Sequence, residues 1–197
     1  MYLPIVTWLI VTASVMALTY ILHCAWNQTR TRVPKLNQSD VVHFLYPVDW
    51  PLLLSLLDPA ADFELRWNLS RRAFRAEQRR RMLLYRELVQ RMSHNSAVLA
   101  DFENTLLGNF DPTPGLDSKL RQAIIKVRLY SSSARLRLRI WLLLPNAFGI
   151  MPTPDLSRLR KAGSLDGPEV YGELRTAAAE AFAQLQPAEI EALTRSL

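Results

Sequence analysis

The sequence predicts an all-α protein, with a single N-terminal transmembrane helix followed by one irregular helical-bundle domain. Three observations lead to this reading. The first 29 residues contain no Lys, Arg, Asp or Glu, although the chain carries 24 basic and 18 acidic residues. Beyond residue 50 the apolar positions recur at steps of three and four rather than two, which is the helical period. Acidic residues followed by proline stand where helices would open, as at Asp49-Trp50-Pro51 and Asp58-Pro59. The expected organisation is an anchor over residues 1–26, a stalk or linker over 27–47, and a helical domain over 48–197.

Tyr2 to Trp26 form an uncharged run of 25 residues. About 20 residues at a rise of about 1.5 Å each cross a hydrocarbon core of roughly 30 Å. Pro4 sits in the first turn, where its missing N–H is harmless. Tyr2, Tyr20 and Trp26 lie near the ends, where aromatic rings favour the interface. A cleaved signal peptide would need a basic n-region, a shorter apolar stretch and a small-x-small site, and the sequence offers none of them. Arg30, Arg32 and Lys35 follow the span and nothing basic precedes it except the α-amino group, so the C-terminal domain is expected in the cytoplasm.

Residues 27–47 are polar and then mixed, with Pro34 and Pro47, which suggests a stalk. A short apolar helix is expected from Leu52 to Leu57. A long one should run from about Pro59 to Ser93, with Trp67, Phe74, Tyr85, Leu88 and Met92 on one face. A separate helix from about Asn95 carries Val98, Phe102 and Leu106 and stops at Gly108. The stretch 109–115 is a loop.

Residues 134–140, Ala-Arg-Leu-Arg-Leu-Arg-Ile, alternate as a strand would. The longer series Leu120, Ile124, Val127, Ser131, Ala134, Leu138 and Trp141 falls at steps of four and three. It predicts one helix from Asp117 to about Leu144. Pro145, Gly149, Pro152 and Pro154 mark a second loop. A short helix should open at Thr153-Pro154 and end near Ala162-Gly163. Another starts at Gly167-Pro168, with Tyr171, Leu174, Ala178, Phe182 and Leu185 along one side. A last short helix after Pro187 bears Ile190, Leu193 and Leu197.

The net charge of +6 is regional: residues 66–139 hold 16 basic and 6 acidic residues. The densest run is Arg71, Arg72, Arg75, Arg79, Arg80 and Arg81. Arg121, Arg128, Arg135 and Arg139 form a second stripe at steps of 7, 7 and 4. Arginine offers a planar fork suited to phosphate or carboxylate, and near an anionic leaflet each cation contributes about 1 kcal/mol. The anion- or lipid-facing candidates are therefore Arg71, Arg72, Arg75, Arg79, Arg80, Arg121, Arg128, Arg135 and Arg139. The competing reading is a solvated face, with pairs such as Arg80–Glu77 and Arg91–Glu87 worth only about 0.2–0.5 kcal/mol each.

Catalytic signatures are missing. The sequence has no phosphate-binding glycine loop, no G-x-S-x-G, no H-E-x-x-H and no C-x-x-C. His23, His43 and His94 are scattered, and His94 fits a helix-end polar residue. Cys24 is the only cysteine, which excludes an intramolecular disulfide. The apolar run Ile140–Leu144 with Ala147–Met151 suggests a helix end buried in the domain centre, the competing reading being an exposed apolar surface that touches lipid or a partner.

The function expected is a membrane-anchored interaction protein: a scaffold, adaptor or accessory subunit with its basic face toward anionic lipid or an acidic partner. No cofactor or metal is expected. The expected partners are the membrane through residues 2–26, a protein, and anionic lipid, with nucleic acid disfavoured. The rival expectation is a membrane-tethered enzyme or sensor whose site lies in the helical domain.

Overall fold

The computed structural model describes residues 38–107, 116–148 and 154–185, together with Trp8, Thr12, Val15, Met16, Thr19, Leu193 and Leu197. It is an all-α helical bundle. A 3-10 helix, Gln38–Phe44, leads into α1 (Trp50–Leu56), α2 (Pro59–Asn68), α3 (Arg71–Leu107) and α4 (Leu116–Phe148). A second 3-10 helix (Leu156–Leu159) and a two-stranded hairpin, β1 (Lys161–Ala162) and β2 (Leu165–Asp166), precede α5 (Gly167–Leu185).

The caps explain where the first helices begin. The Asp49 carboxylate accepts from Leu52 N at 2.9 Å, and that of Asp58 accepts from Ala60 N at 2.9 Å. Each satisfies a backbone donor with no intrahelical partner, and a proline at the helix start lacks the donor altogether. The two long helices α3 and α4 pack along each other, and α5 packs on α4. The series predicted for α4 lies inward: Leu120, Ile124, Val127, Ser131, Ala134 and Leu138 are buried, and Trp141 is half-buried against the core. Tyr171, Leu174, Ala178 and Phe182 of α5 face it, and the Phe182 ring stacks on Phe102 of α3 at 4.6 Å.

Several boundaries differ from the sequence reading. The helix expected over 59–93 is interrupted at Leu69-Ser70: Leu69 adopts extended dihedrals, and the Ser70 hydroxyl accepts from Ala73 N at 3.4 Å as α3 begins. Trp67, placed before this break, is 81 % exposed, whereas Phe74, Tyr85, Leu88 and Met92 are buried as expected. No break occurs at Asn95. The cluster Ser93-His94-Asn95-Ser96 looks like a helix end because its side chains are polar, but those groups bond within the fold. Ser96 Oγ donates to the Ser93 carbonyl at 2.8 Å, and the Asn95 side chain reaches another segment. Val41, Leu45 and Val48 are buried in the core, so the domain begins inside the stretch expected to be stalk. Helix α4 continues through Pro145 to Phe148, although the proline gives up one backbone bond and crowds the preceding turn. The helix expected after Thr153 is a single 3-10 turn followed by the hairpin. Its turn is made by Gly163 at φ +66°, a left-handed conformation that glycine adopts readily.

The predicted span falls almost wholly outside the described residues, as do residues 27–37. The five described positions within the span are helical and exposed. Thr12 Oγ1 donates to the Trp8 carbonyl at 2.9 Å, and Thr19 Oγ1 to the Val15 carbonyl at 2.8 Å. Among the described residues, no helix is long and apolar enough to cross a membrane.

Candidate anion-facing surface

Helix α3 has two faces. Phe74, Gln78, Arg81, Met82, Tyr85, Leu88, Val89 and Met92 turn inward. The opposite side exposes Arg72, Arg75, Arg79, Leu83, Arg86 and Gln90 at steps of 3, 4, 4, 3 and 4, which keeps them in one stripe. Arg71 and Arg80 are also exposed. Among the described residues none of Arg71, Arg72, Arg75, Arg79, Arg80 and Arg86 forms an ion pair, whereas Arg91 pairs with Glu87 and Arg66 with Asp155. The expected Arg80–Glu77 pairing is therefore not made, although Arg91–Glu87 is. An unpaired cation keeps its full charge available to an external anion.

The other four candidates are not gathered with these. Arg121 Nε donates to Glu103 Oε1 at 2.7 Å. Arg128 is only 9 % exposed and its Nε makes no hydrogen bond. Burial depresses its pKa, and the nearby Asp101 and Glu103 carboxylates oppose that shift. Burial likewise raises the carboxyl pKa of Asp101, against the field of Arg128. Arg135 is half-buried and Arg139 exposed. Steps of seven on a helix do share a face, but α4 is covered by α3 on one side and α5 on another. A stripe along it is therefore partly interior.

Arg81 belongs to the interior as well. Its guanidinium donates to Asp62 Oδ1 at 2.5 Å and to the Leu56 carbonyl at 3.0 Å. The same carboxylate accepts from Gln78 Nε2 at 3.0 Å and, through Oδ2, from Ser157 N at 2.8 Å. A buried ion pair stands only when its remaining donors and acceptors are satisfied. Here the network ties α1, α2, α3 and the second 3-10 helix together. Nothing in the spacing of Asp62 and Arg81 announces it, since the partners lie on different elements.

Three further features went unread in the sequence. Arg86 completes the exposed stripe, and counting exposed positions on the helical wheel would have found it. Asn95 Oδ1 accepts from Tyr46 N at 2.8 Å, while its Nδ2 donates to the Tyr46 carbonyl at 2.8 Å and to Tyr171 Oη at 2.9 Å. Next to it, His94 Nε2 lies 2.9 Å from the Phe44 carbonyl and its ring packs on Tyr46. His94 is thus a mid-helix residue holding the entering chain. Lastly, Tyr85 and Tyr130 share a buried hydroxyl–hydroxyl hydrogen bond, and Tyr130 Oη donates to the Leu159 carbonyl at 2.9 Å.

Two recesses are open to solvent. One of about 510 Å³ is lined by Tyr46, Pro47, Glu87, Gln90, Arg91 and His94. The other, about 430 Å³, lies between Trp50, Arg175 and Leu197. Among the described residues no group of His, Cys, Asp or Glu is arranged to hold a metal ion. Of the apolar run at the end of α4, Ile140 is exposed while Trp141 and Leu142 pack partly against the core; the side chains beyond lie outside the described residues.

Comparison with protein-family models, with curated proteins and with solved structures gave no match. The functional reading therefore stands on the chain's own chemistry.

Proposed function

We propose that this chain is a membrane-anchored helical interaction protein, held in the bilayer by residues 2–26. Its helical domain presents a basic surface to anionic groups. The single observation that supports the reading best is the set of six exposed arginines on α3, none ion-paired among the described residues, in a chain whose first 29 residues carry no charged side chain. Solvated decoration would be expected to carry interleaved acids, and the only acid among residues 71–86 is Glu77. Arg30, Arg32 and Lys35 favour a cytoplasmic domain. The work is binding: a scaffold, adaptor or accessory subunit whose α-helical domain keeps its surface at the membrane.

Membrane sedimentation with an alkaline carbonate wash tests the anchor. The intact chain is expected in the pellet after the wash. Recovery in the supernatant after high-speed centrifugation overturns the proposal.

A further inference from the structure

The six arginines could meet an acidic protein or a lipid surface, and the geometry points to lipid. We infer that the outer stripe of α3 lies flat on an anionic leaflet, with Arg72, Arg75, Arg79 and Arg86 among the headgroups and Leu83 at the acyl boundary. This inference rests on the anchored reading and specifies its surface.

Three observations favour the bilayer as the occupant. The first is where the chain enters the domain. The Phe44 carbonyl is held by His94 and the Pro47 carbonyl by Arg91 Nη1 at 2.9 Å, so the entering segment sits at the Gln90 end of the stripe. Residues 27–37 add a reach of at most about 40 Å, so the stripe lies within range of the leaflet into which residues 2–26 would insert.

The second is the shape of the charge. Arg72 to Arg86 run about 21 Å along one straight side of a helix, at about 1.5 Å per residue. A linear row of unpaired cations complements a flat, laterally mobile array of phosphates, with each cation contributing on the order of a fivefold preference. The third is Leu83. It stands 48 % exposed in the middle of the row, so a surface laid along the cations also covers an apolar side chain.

The test uses the full chain reconstituted in vesicles of phosphatidylcholine alone or with added phosphatidylglycerol. Cys24→Ser removes the only thiol, and Leu83→Cys receives a nitroxide label. Collisions of this label with a water-soluble nickel chelate are expected to fall at least about threefold in the anionic vesicles, given about fivefold per cation. They should recover when Arg72, Arg75, Arg79 and Arg86 are all replaced by Gln, and also in 1 M salt, where the screening length shrinks to about 3 Å. A label at Ile125→Cys, on exposed α4 surface, is expected to stay accessible in both lipids and shows that the protection is confined to the α3 side.

Equal accessibility at position 83 in the two lipids overturns the inference. So does protection that is present in neutral lipid and survives the Gln replacements, since that indicates contact with a second copy. Failure of the chain to float with neutral vesicles refutes the anchor instead. Protection at position 83 on anionic vesicles would then still report the docking surface.

Discussion

Tyr85 and Tyr130 meet hydroxyl to hydroxyl in the centre of the bundle, and the pair has a consequence for pH. Burial pushes the Tyr130 hydroxyl up to about 12. Tyr85 is raised well above its ordinary value, first by burial and then by Tyr130. Both groups hold their protons in the folded state at a pH where the unfolded chain, with tyrosines near 10, releases them. Their contribution is therefore complete below about pH 10 and is lost as pH rises toward about 12. The urea midpoint is expected to fall between pH 9 and roughly 11.5, with the drop reduced in a Tyr85→Phe, Tyr130→Phe double variant; a flat profile would contradict this. Gly167 is fixed by the same ring, because a Cβ there would lie 2.1 Å from Tyr130 Cζ. Gly167→Ala is expected to cost about 1–3 kcal/mol or more by overpacking, measured by urea unfolding. In the sequence Gly167 is legible only as a helix start before Pro168. The ring that forbids a side chain comes from 37 residues upstream.

Among elements, α4 and α5 were legible because their largely apolar series are long, and a helical pattern over 22 residues outweighs an alternation over seven. The boundary between α2 and α3 was not. No glycine or proline marks a break at Asn68, Leu69 and Ser70, and the Asp62–Arg81 network that ties α2 to α3 across the turn is formed by residues far apart in sequence. Asp62→Ala is expected to destabilise the domain by about 3–5 kcal/mol, since it leaves the Arg81 guanidinium buried and uncompensated. The cost is expected to shrink in Asp62→Ala, Arg81→Met, where the charge is removed as well; a double variant as unstable as the sum of both singles would contradict that account. Asn95 accounts for the absent helix end and for the packing of residues 41–48 together, because its three hydrogen bonds join the entering segment to α3 and α5. Asn95→Ala is expected to quicken protease cleavage near residues 44–48 while the α3–α5 core stays intact. Unchanged cleavage there would show that Val41, Leu45 and Val48 hold the segment unaided.

At the scale of the molecule, composition revealed that the basic charge is regional, and helical periodicity revealed that the domain is a bundle. Neither could sort the arginines. Arg79 and Arg81 differ by two residues, yet one is exposed and unpaired and the other sits in the interior, a difference made by which side of α3 meets α2. Arg121, Arg128, Arg135 and Arg139 share a helix face, but tertiary packing covers part of it. In the function proposed here, an uncharged N-terminal rod keeps these arginines at a bilayer. The most direct check is the intact mass of the protein recovered from carbonate-washed membranes. The recovered species is predicted to retain residues 1–26. A shorter chain beginning near Asn27, or no chain in the washed membranes, would contradict it.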